Sequence, residues 1–173
     1  MANRQPRAAL RLSAQKRVRR IAAGWVLSVW IAAFAAAADS AAPLPGVVTI
    51  KARYGFNVVL TRLEKAIADH KMGLVAQASA SRGAAARGIK IPGNAVLMIF
   101  RNDYAVRMLA ASVAAGIEAP LRIYVTETPD GKASLTYREP SAVFAPYRSP
   151  ALDEMAKELD AVLRNIVHDA AGG

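Results

Sequence analysis

Three polar residues, Arg101, Asn102 and Asp103, stand directly after the apolar run AVLMIF at positions 95–100. Polar side chains at the carboxyl end of a buried strand often take part in binding, and a helix that begins there offers free N–H groups to an anion. Arg107 follows one helical turn later and adds a second cation. We therefore take these four residues as a candidate ligand-binding site, and an enzymatic site is the alternative at the same corner.

The same residues also have a structural explanation. The side chain of Asn102 or Asp103 can cap the first turn of the following helix and so occupy its N–H groups. Asp103 also repels an anion, and its i,i+4 spacing allows an ion pair with Arg107. Capping is the interpretation that the sequence favours, and it leaves Arg101 as the residue without a structural role.

Two tyrosines form the second candidate for ligand binding. Tyr124 and Tyr137 fall on the two arms of a predicted hairpin, with Arg122 and Arg138 beside them. A sheet face that carries tyrosines and arginines can bind a ligand or a partner subunit. Aromatic pairs across two strands also stabilise a sheet without any binding role, which is the alternative.

Residue types that carry much of enzyme chemistry are scarce in this chain. There is no cysteine, which excludes a thiolate nucleophile, a disulfide and cysteine-ligated metals. His70 and His168 are the only histidines, and neither has a second ligand at metal spacing. No serine stands in a nucleophile elbow, and no phosphate-binding loop is present. The sequence therefore predicts no catalytic residue, no metal site and no cofactor.

The net charge of +10 is concentrated at the N-terminus. Residues 1–42 hold seven of the 23 basic residues and one of the 13 acids, which leaves 16 basic and 12 acidic residues, a net +4, in the rest of the chain. A high isoelectric point therefore carries little weight for a nucleic-acid partner, and we predict none.

The N-terminal segment has the order of a secretory signal peptide. Basic residues precede an apolar run from Ile21 to Ala38, and small residues at positions 36 and 38 allow cleavage before Asp39. An uncleaved membrane anchor is the alternative, because the run approaches the length of a transmembrane helix. Both interpretations predict a domain outside the cytoplasm, periplasmic or extracellular, and held at the inner membrane if the segment is uncleaved.

The patterns after this leader predict the elements that position the candidate residues. Alternating or apolar strands are predicted over 47–53, 74–80 and 95–100, and a hairpin turns at the Pro-Asp-Gly after residue 128. Amphipathic helices follow the first and third strands, and Ser149 with Pro150 starts a long C-terminal helix. The order predicts a single compact α+β domain, with an antiparallel or mixed sheet of about five strands and two or three helices on one face. The continuous apolar run further predicts a central strand buried on both faces.

The segment from the third strand onward resembles the bacterial and archaeal family called domain of unknown function 302. Members of that family typically show a strand ending in Phe-x-Asn, a helix, Gly-hydrophobic-x-x-Pro-Leu before a strand, and then Tyr-x-x-Pro. The matching residues here are Phe100, Asn102, Gly116, Ile117, Pro120, Leu121, Tyr137 and Pro140.

The resemblance covers residues 46–168 and implies a compact α+β fold, a homodimer and no established activity. Many members carry an Asp-His pair just after the second strand, where this chain has Ser79 and Ala80. No acid–base or metal role of that pair is therefore carried over.

These observations combine into one prediction of organisation and function. Residues 1–42 are a signal peptide or membrane anchor with its linker, and residues 46–168 form the α+β domain. We predict an exported, non-catalytic domain that binds a small molecule or an envelope protein and forms a homodimer. It would contact a membrane only through an uncleaved N-terminal segment. The alternative is an uncharacterised enzyme with its polar site at residues 101–103.

Overall fold

The computed structural model describes residues 44–173 of the chain. Its strands are β1 (Val47–Gly55), β2 (Gly73–Ala78), β3 (Asn94–Phe100), β4 (Leu121–Glu127) and β5 (Lys132–Arg138). Its α-helices are α1 (Phe56–Asp69), α2 (Ala80–Ala85), α3 (Asn102–Ala111), α4 (Pro140–Phe144) and α5 (Pro150–Ala171). Short 3-10 turns occupy Val113–Glu118 and Ala145–Tyr147.

The five strands form one sheet in the order β1-β5-β4-β3-β2, and every neighbouring pair is antiparallel. The β4–β5 hairpin turns at Gly131, whose φ of 76° is a left-handed conformation that glycine adopts without strain. The long helix begins with Ser149 at the N-cap and Pro150 in its first turn, as the sequence predicts. The predicted α+β domain with a sheet of five strands is confirmed.

One face of the sheet is covered by α1 and α5. Leu97, Ile99, Ile123 and Leu135 point into this core together with Leu163 of α5, and all are at most 1% exposed. The apolar stripes of the two helices meet the inward-facing residues of the strands, and that burial is the main favourable term in folding.

The other face is left uncovered by residues 44–173, and we call it the open sheet face. It carries the residues that alternate with the core positions, among them Thr49, Val96, Met98, Arg122, Tyr124 and Thr136. Val96 and Met98 are therefore half-buried, whereas Leu97 between them is fully buried. The prediction that β3 is buried on both faces is wrong, because a continuous apolar run does not by itself show which face is covered.

A second apolar cluster extends the core beyond the sheet. Tyr104 and Met108 of α3 pack there with Phe144 of α4 and with Leu152 and Met155 in the first half of α5. The second half of α5 packs on the sheet, so this helix joins both clusters.

Within residues 44–173, no helix is both long and apolar enough to cross a bilayer. The predicted leader at residues 1–42 lies outside the described residues. Export, and cleavage before Asp39, therefore stay predictions.

Candidate functional site

The predicted corner at the end of β3 is neutralised by its own residues. Arg101 is the extended N-cap residue of α3, with φ −143° and ψ 126°, and no side chain in the described part of the chain caps the helix. The predicted caps at Asn102 and Asp103 are therefore wrong. The Asp103 carboxylate instead accepts two hydrogen bonds from the Arg101 guanidinium, at 2.7 and 3.0 Å. This hydrogen bonding is the main reason that the pKa of Asp103 is lowered and that of Arg101 raised.

Arg107 is also paired, but with a different partner from the one predicted. Its guanidinium donates two hydrogen bonds of 2.7 Å to the Glu158 carboxylate on α5, so the predicted pair with Asp103 is wrong. These bonds lower the pKa of Glu158. Tyr104, which the sequence did not single out, lies between the two arginines, with guanidinium carbons 4.1 Å (Arg101) and 5.5 Å (Arg107) from its ring centroid. Both cations are thus engaged, and the corner has little charge left for an anion.

A small cavity beneath this corner does not change that conclusion. It has a volume of about 30 Å³ and lies among Ile99, Tyr104, Met108, Phe144 and Met155. Its walls are almost entirely apolar. A space of this size holds only one or two waters, and an apolar lining disfavours even those.

The two candidate tyrosines lie on opposite faces of the sheet. Tyr137 pairs with Ile123 and is 4% exposed in the core, where burial raises the pKa of its hydroxyl. Tyr124 pairs with Thr136 and is 43% exposed on the open sheet face. The structure therefore places Tyr137 in the packing and leaves Tyr124 accessible to a partner.

A much larger concavity within residues 44–173 lies at the opposite end of β3 from the predicted corner. This end cleft has a volume of about 580 Å³. Its lining comes from the end of β1, the start of α1, the segment around α2, the start of β3 and the β4–β5 hairpin: Gly55, Phe56, Asn57, Val58, Leu60, Ser79, Ser81, Arg82, Ile91, Gly93, Glu127 and Gly131.

Hydrogen bonds fix the wall of the end cleft around α2. The Asn94 side-chain oxygen accepts from the N–H groups of Ala80 and Ser81, at 3.0 and 3.4 Å. The Ser79 hydroxyl oxygen caps the helix by accepting from the N–H of Arg82 at 3.1 Å. The start of α2 is thereby tied to the start of β3, and the cleft is held open by ordered backbone.

A close approach of two segments shapes the floor of the end cleft. A Cβ at Gly93 would lie 2.7 Å from Cδ1 of Phe56, so only glycine lets the chain pass the ring at this distance. The N–H of Gly93 donates to the Glu127 carboxylate at 2.7 Å, which fixes the segment against the end of β4.

The lining of the end cleft combines polar and apolar groups. Phe56, Val58 and Ile91 offer apolar contact, and Val58 and Ile91 are 52% and 40% exposed. Arg82 makes no ion pair with another residue in the described range. The N-cap of α1 is Gly55, and no side chain within residues 44–173 caps the N–H groups of that helix. The end cleft thus suits a small amphipathic molecule that carries a polar or anionic group.

The sequence did not reveal this cleft because its residues come from separate segments that only the fold brings together. The one available signal was the irregular stretch SRGAAARGIKIPGN at 81–94, which combines glycine with basic residues after a strand. Among residues 44–173, no group of three or more His, Cys, Asp or Glu side chains is placed to hold a metal ion. His70 is hydrogen-bonded to Asp169, with Nε2 2.8 Å from Oδ2.

The fold and the end cleft define a single-domain α+β protein with one open sheet face. The sequence model of the family described as domain of unknown function DUF302 matches residues 48–170, which confirms the resemblance seen in the sequence. The chain belongs to this family.

A solved structure shares the architecture. It is the crystal structure of an uncharacterised conserved DUF302 protein from Bacillus stearothermophilus, 20% identical, with a TM-score of 0.65. The match covers 73% of this chain and 98% of that one. That chain therefore consists almost entirely of the matched fold. No curated protein matches the chain.

Proposed function

We propose that this protein is an exported domain that binds a small molecule in the end cleft and catalyses no reaction. The observation that carries the proposal is the cleft itself, which has a volume of about 580 Å³ and is lined by helices, strands and the turns between them. Small-molecule sites in proteins typically have volumes of about 300–1,000 Å³ and combine apolar walls with a few polar groups.

The lining indicates the kind of ligand. Arg82 and the uncapped start of α1 favour a compact anionic or polar group, because a free guanidinium and free N–H groups both attract negative charge. Phe56 and Ile91 lie within the same cleft and would cover an apolar part of the ligand. The corner around residues 101–103 supports the enzyme alternative less well, because Arg101 and Asp103 satisfy each other.

Native mass spectrometry of the full-length protein purified from its own envelope tests this proposal. We expect a chain that begins at Asp39 and a retained small molecule. Val58→Trp, in the end cleft, should abolish that retention, whereas Val106→Trp on α3 should not. The two valines are 52% and 60% exposed on helices, so we expect the fold to tolerate both substitutions. Equal retention by both variants, or none by the unmodified protein, would contradict the proposal.

The open sheet face supports a second proposal, that the domain forms a homodimer. Tyr124 is 43% exposed there, and Val96 and Met98 are half-buried beside it. Exposed apolar surface of this kind is typical of an interface between subunits.

Sedimentation equilibrium of the domain tests the homodimer. We expect a dimer that Tyr124→Asp converts to a monomer, because a carboxylate buried in an apolar interface loses its hydration. Val106→Asp places the same charge on α3, away from the sheet, and should leave the dimer intact. A domain that is monomeric at all concentrations would refute this assembly.

A further inference from the structure

The segment 82–91, between the start of α2 and β3, concentrates positive charge at one end of the molecule. Arg82, Arg87 and Lys90 are exposed, and residues 80–94 contain no acid. None of the three cations forms an ion pair within residues 44–173. The nearby Glu127 carboxylate is bonded to the N–H of Gly93, on the cleft side of the segment.

The same segment exposes two isoleucines. Ile89 is 49% and Ile91 40% exposed, and both line a mostly apolar depression of about 300 Å³ together with Ala85. The backbone here is ordered: Gly88 takes a left-handed φ of 73°, and the N–H of Ile89 donates to the Ala84 carbonyl at 3.0 Å. This C-terminal cap of α2 holds the isoleucines at the surface instead of folding them into the core.

Unpaired cations beside exposed aliphatic side chains are complementary to one kind of surface. At an anionic bilayer, basic side chains meet the headgroups while apolar side chains enter the boundary with the acyl chains. A nucleic acid would use the cations and leave Ile89 and Ile91 exposed to water.

We propose that the 82–91 segment docks the domain on an anionic phospholipid bilayer, with Ile89 and Ile91 inserted and Arg82, Arg87 and Lys90 at the headgroups. Arg82 and Ile91 also line the end cleft, whereas Arg87, Ile89 and Lys90 lie outside it, so docking is tested at these last three residues. This contact departs from the sequence-based expectation that a membrane is contacted only through the N-terminal segment.

Co-sedimentation of residues 43–173 with vesicles tests the docking, since the solved relative consists almost entirely of this fold. The vesicles contain phosphatidylglycerol and phosphatidylethanolamine, or phosphatidylcholine alone. We expect binding to the anionic vesicles that weakens with added salt, and none to the neutral ones.

Variants outside the lining of the end cleft locate the contact. Arg87→Gln with Lys90→Gln should weaken vesicle binding by at least about tenfold, because each cation near an anionic surface contributes about fivefold. Ile89→Ser should also weaken it by about tenfold, through lost apolar burial. None of these residues lines the end cleft, so ligand retention should persist in every variant.

Matched controls separate docking from general adhesion. Lys157→Gln with Arg164→Gln removes two exposed cations from α5, and Ile117→Ser removes an isoleucine that is 81% exposed elsewhere. Both variants should bind vesicles as the unmodified domain does. The proposal is overturned if anionic vesicles are not bound, if the controls lose as much binding as the segment variants, or if Ile89→Ser binds normally, which would indicate simple attraction to any polyanion.

Discussion

Asp169, near the end of α5, is held by the ring of His70, which follows α1. The hydrogen bond from His70 is the main cause that lowers the pKa of the Asp169 carboxyl. The pKa of Asp169 is lower in the folded than in the unfolded chain. Ionised Asp169 therefore stabilises the fold at pH values above the usual pKa of aspartate. That contribution is lost as the pH falls through the lowered pKa.

Asp169→Asn should therefore lower the melting temperature at pH 7 and have a smaller effect near pH 3, as measured by circular dichroism. Asp153→Asn, at the start of the same helix and in no ion pair within the described residues, serves as the control. An Asp169→Asn effect that is the same at both pH values would show that the carboxylate charge does not contribute.

The two hairpin tyrosines should differ sharply when truncated. Tyr137→Ala empties a core position that is 4% exposed, and we expect a loss of about 3–5 kcal/mol in the free energy of unfolding. Tyr124→Ala removes a side chain that is 43% exposed and should cost less than about 1 kcal/mol in the monomer. Urea unfolding of both variants measures the difference, and similar losses would contradict the assignment of faces.

The different faces of these tyrosines were available from the sequence. Tyr137 lies two residues after Leu135, so the two side chains share one face of the strand. Tyr124 lies between Ile123 and Val125, so its side chain points to the opposite face from theirs. The period of two therefore already places Tyr137 among the apolar residues. The partner of Arg101 was not available in this way. The partner depends on the side-chain rotamers, because Asp103 can either cap the helix or pair with the Arg101 guanidinium. In the structure Asp103 pairs with Arg101.

At the scale of elements, Gly93 sets how closely the start of β3 approaches the start of α1. Gly93→Ala should cost about 1–3 kcal/mol, because its Cβ would lie 2.7 Å from the Phe56 ring. In a Phe56→Ala background the same substitution should cost much less, since the obstructing ring is gone.

Gly83→Ala is the matched control for this prediction. Gly83 lies in α2, and a Cβ added there would meet no other atom within 4 Å, so alanine should be neutral or stabilise the helix by up to about 1 kcal/mol. A double-mutant cycle by urea unfolding measures the coupling between residues 93 and 56. A coupling near zero would show that the ring moves aside without cost.

Charge exchange tests the connection between α3 and α5. Arg107→Glu faces Glu158 with a like charge and should lower the melting temperature. Adding Glu158→Arg restores the pair in reverse and should recover most of the loss. Recovery that persists in high salt would contradict an electrostatic origin, because both side chains are partly exposed and screened.

The helices and strands were more predictable from the sequence than the tertiary contacts between them. Ser149 and Pro150 marked the start of α5 correctly, because N-cap preference and the fixed φ of proline act locally. The end cleft forms where β1, α1, α2, β3 and the β4–β5 hairpin meet in the folded domain. Because these segments are far apart in the sequence, no local sequence pattern predicts the cleft.

At the scale of the whole molecule, α5 makes one cooperative unit of the two apolar clusters. Leu152 near its start is fully buried among α3 and α4 residues, and Leu163 in its second half is 1% exposed against the sheet. Breaking either cluster removes packing from the same helix, so the rest of the molecule should not remain folded alone.

Leu152→Ala and Leu163→Ala should therefore each lower the free energy of unfolding by about 2–5 kcal/mol while keeping a single transition. The tyrosine signal in near-ultraviolet circular dichroism and the helix signal in the far-ultraviolet should coincide during urea unfolding of residues 43–173. Val113→Ala, at a position 79% exposed, should change stability by less than about 0.5 kcal/mol and serves as the control. Two separated transitions in Leu152→Ala would show that the cluster of α3, α4 and the first half of α5 unfolds independently of the sheet, and that α5 does not couple them.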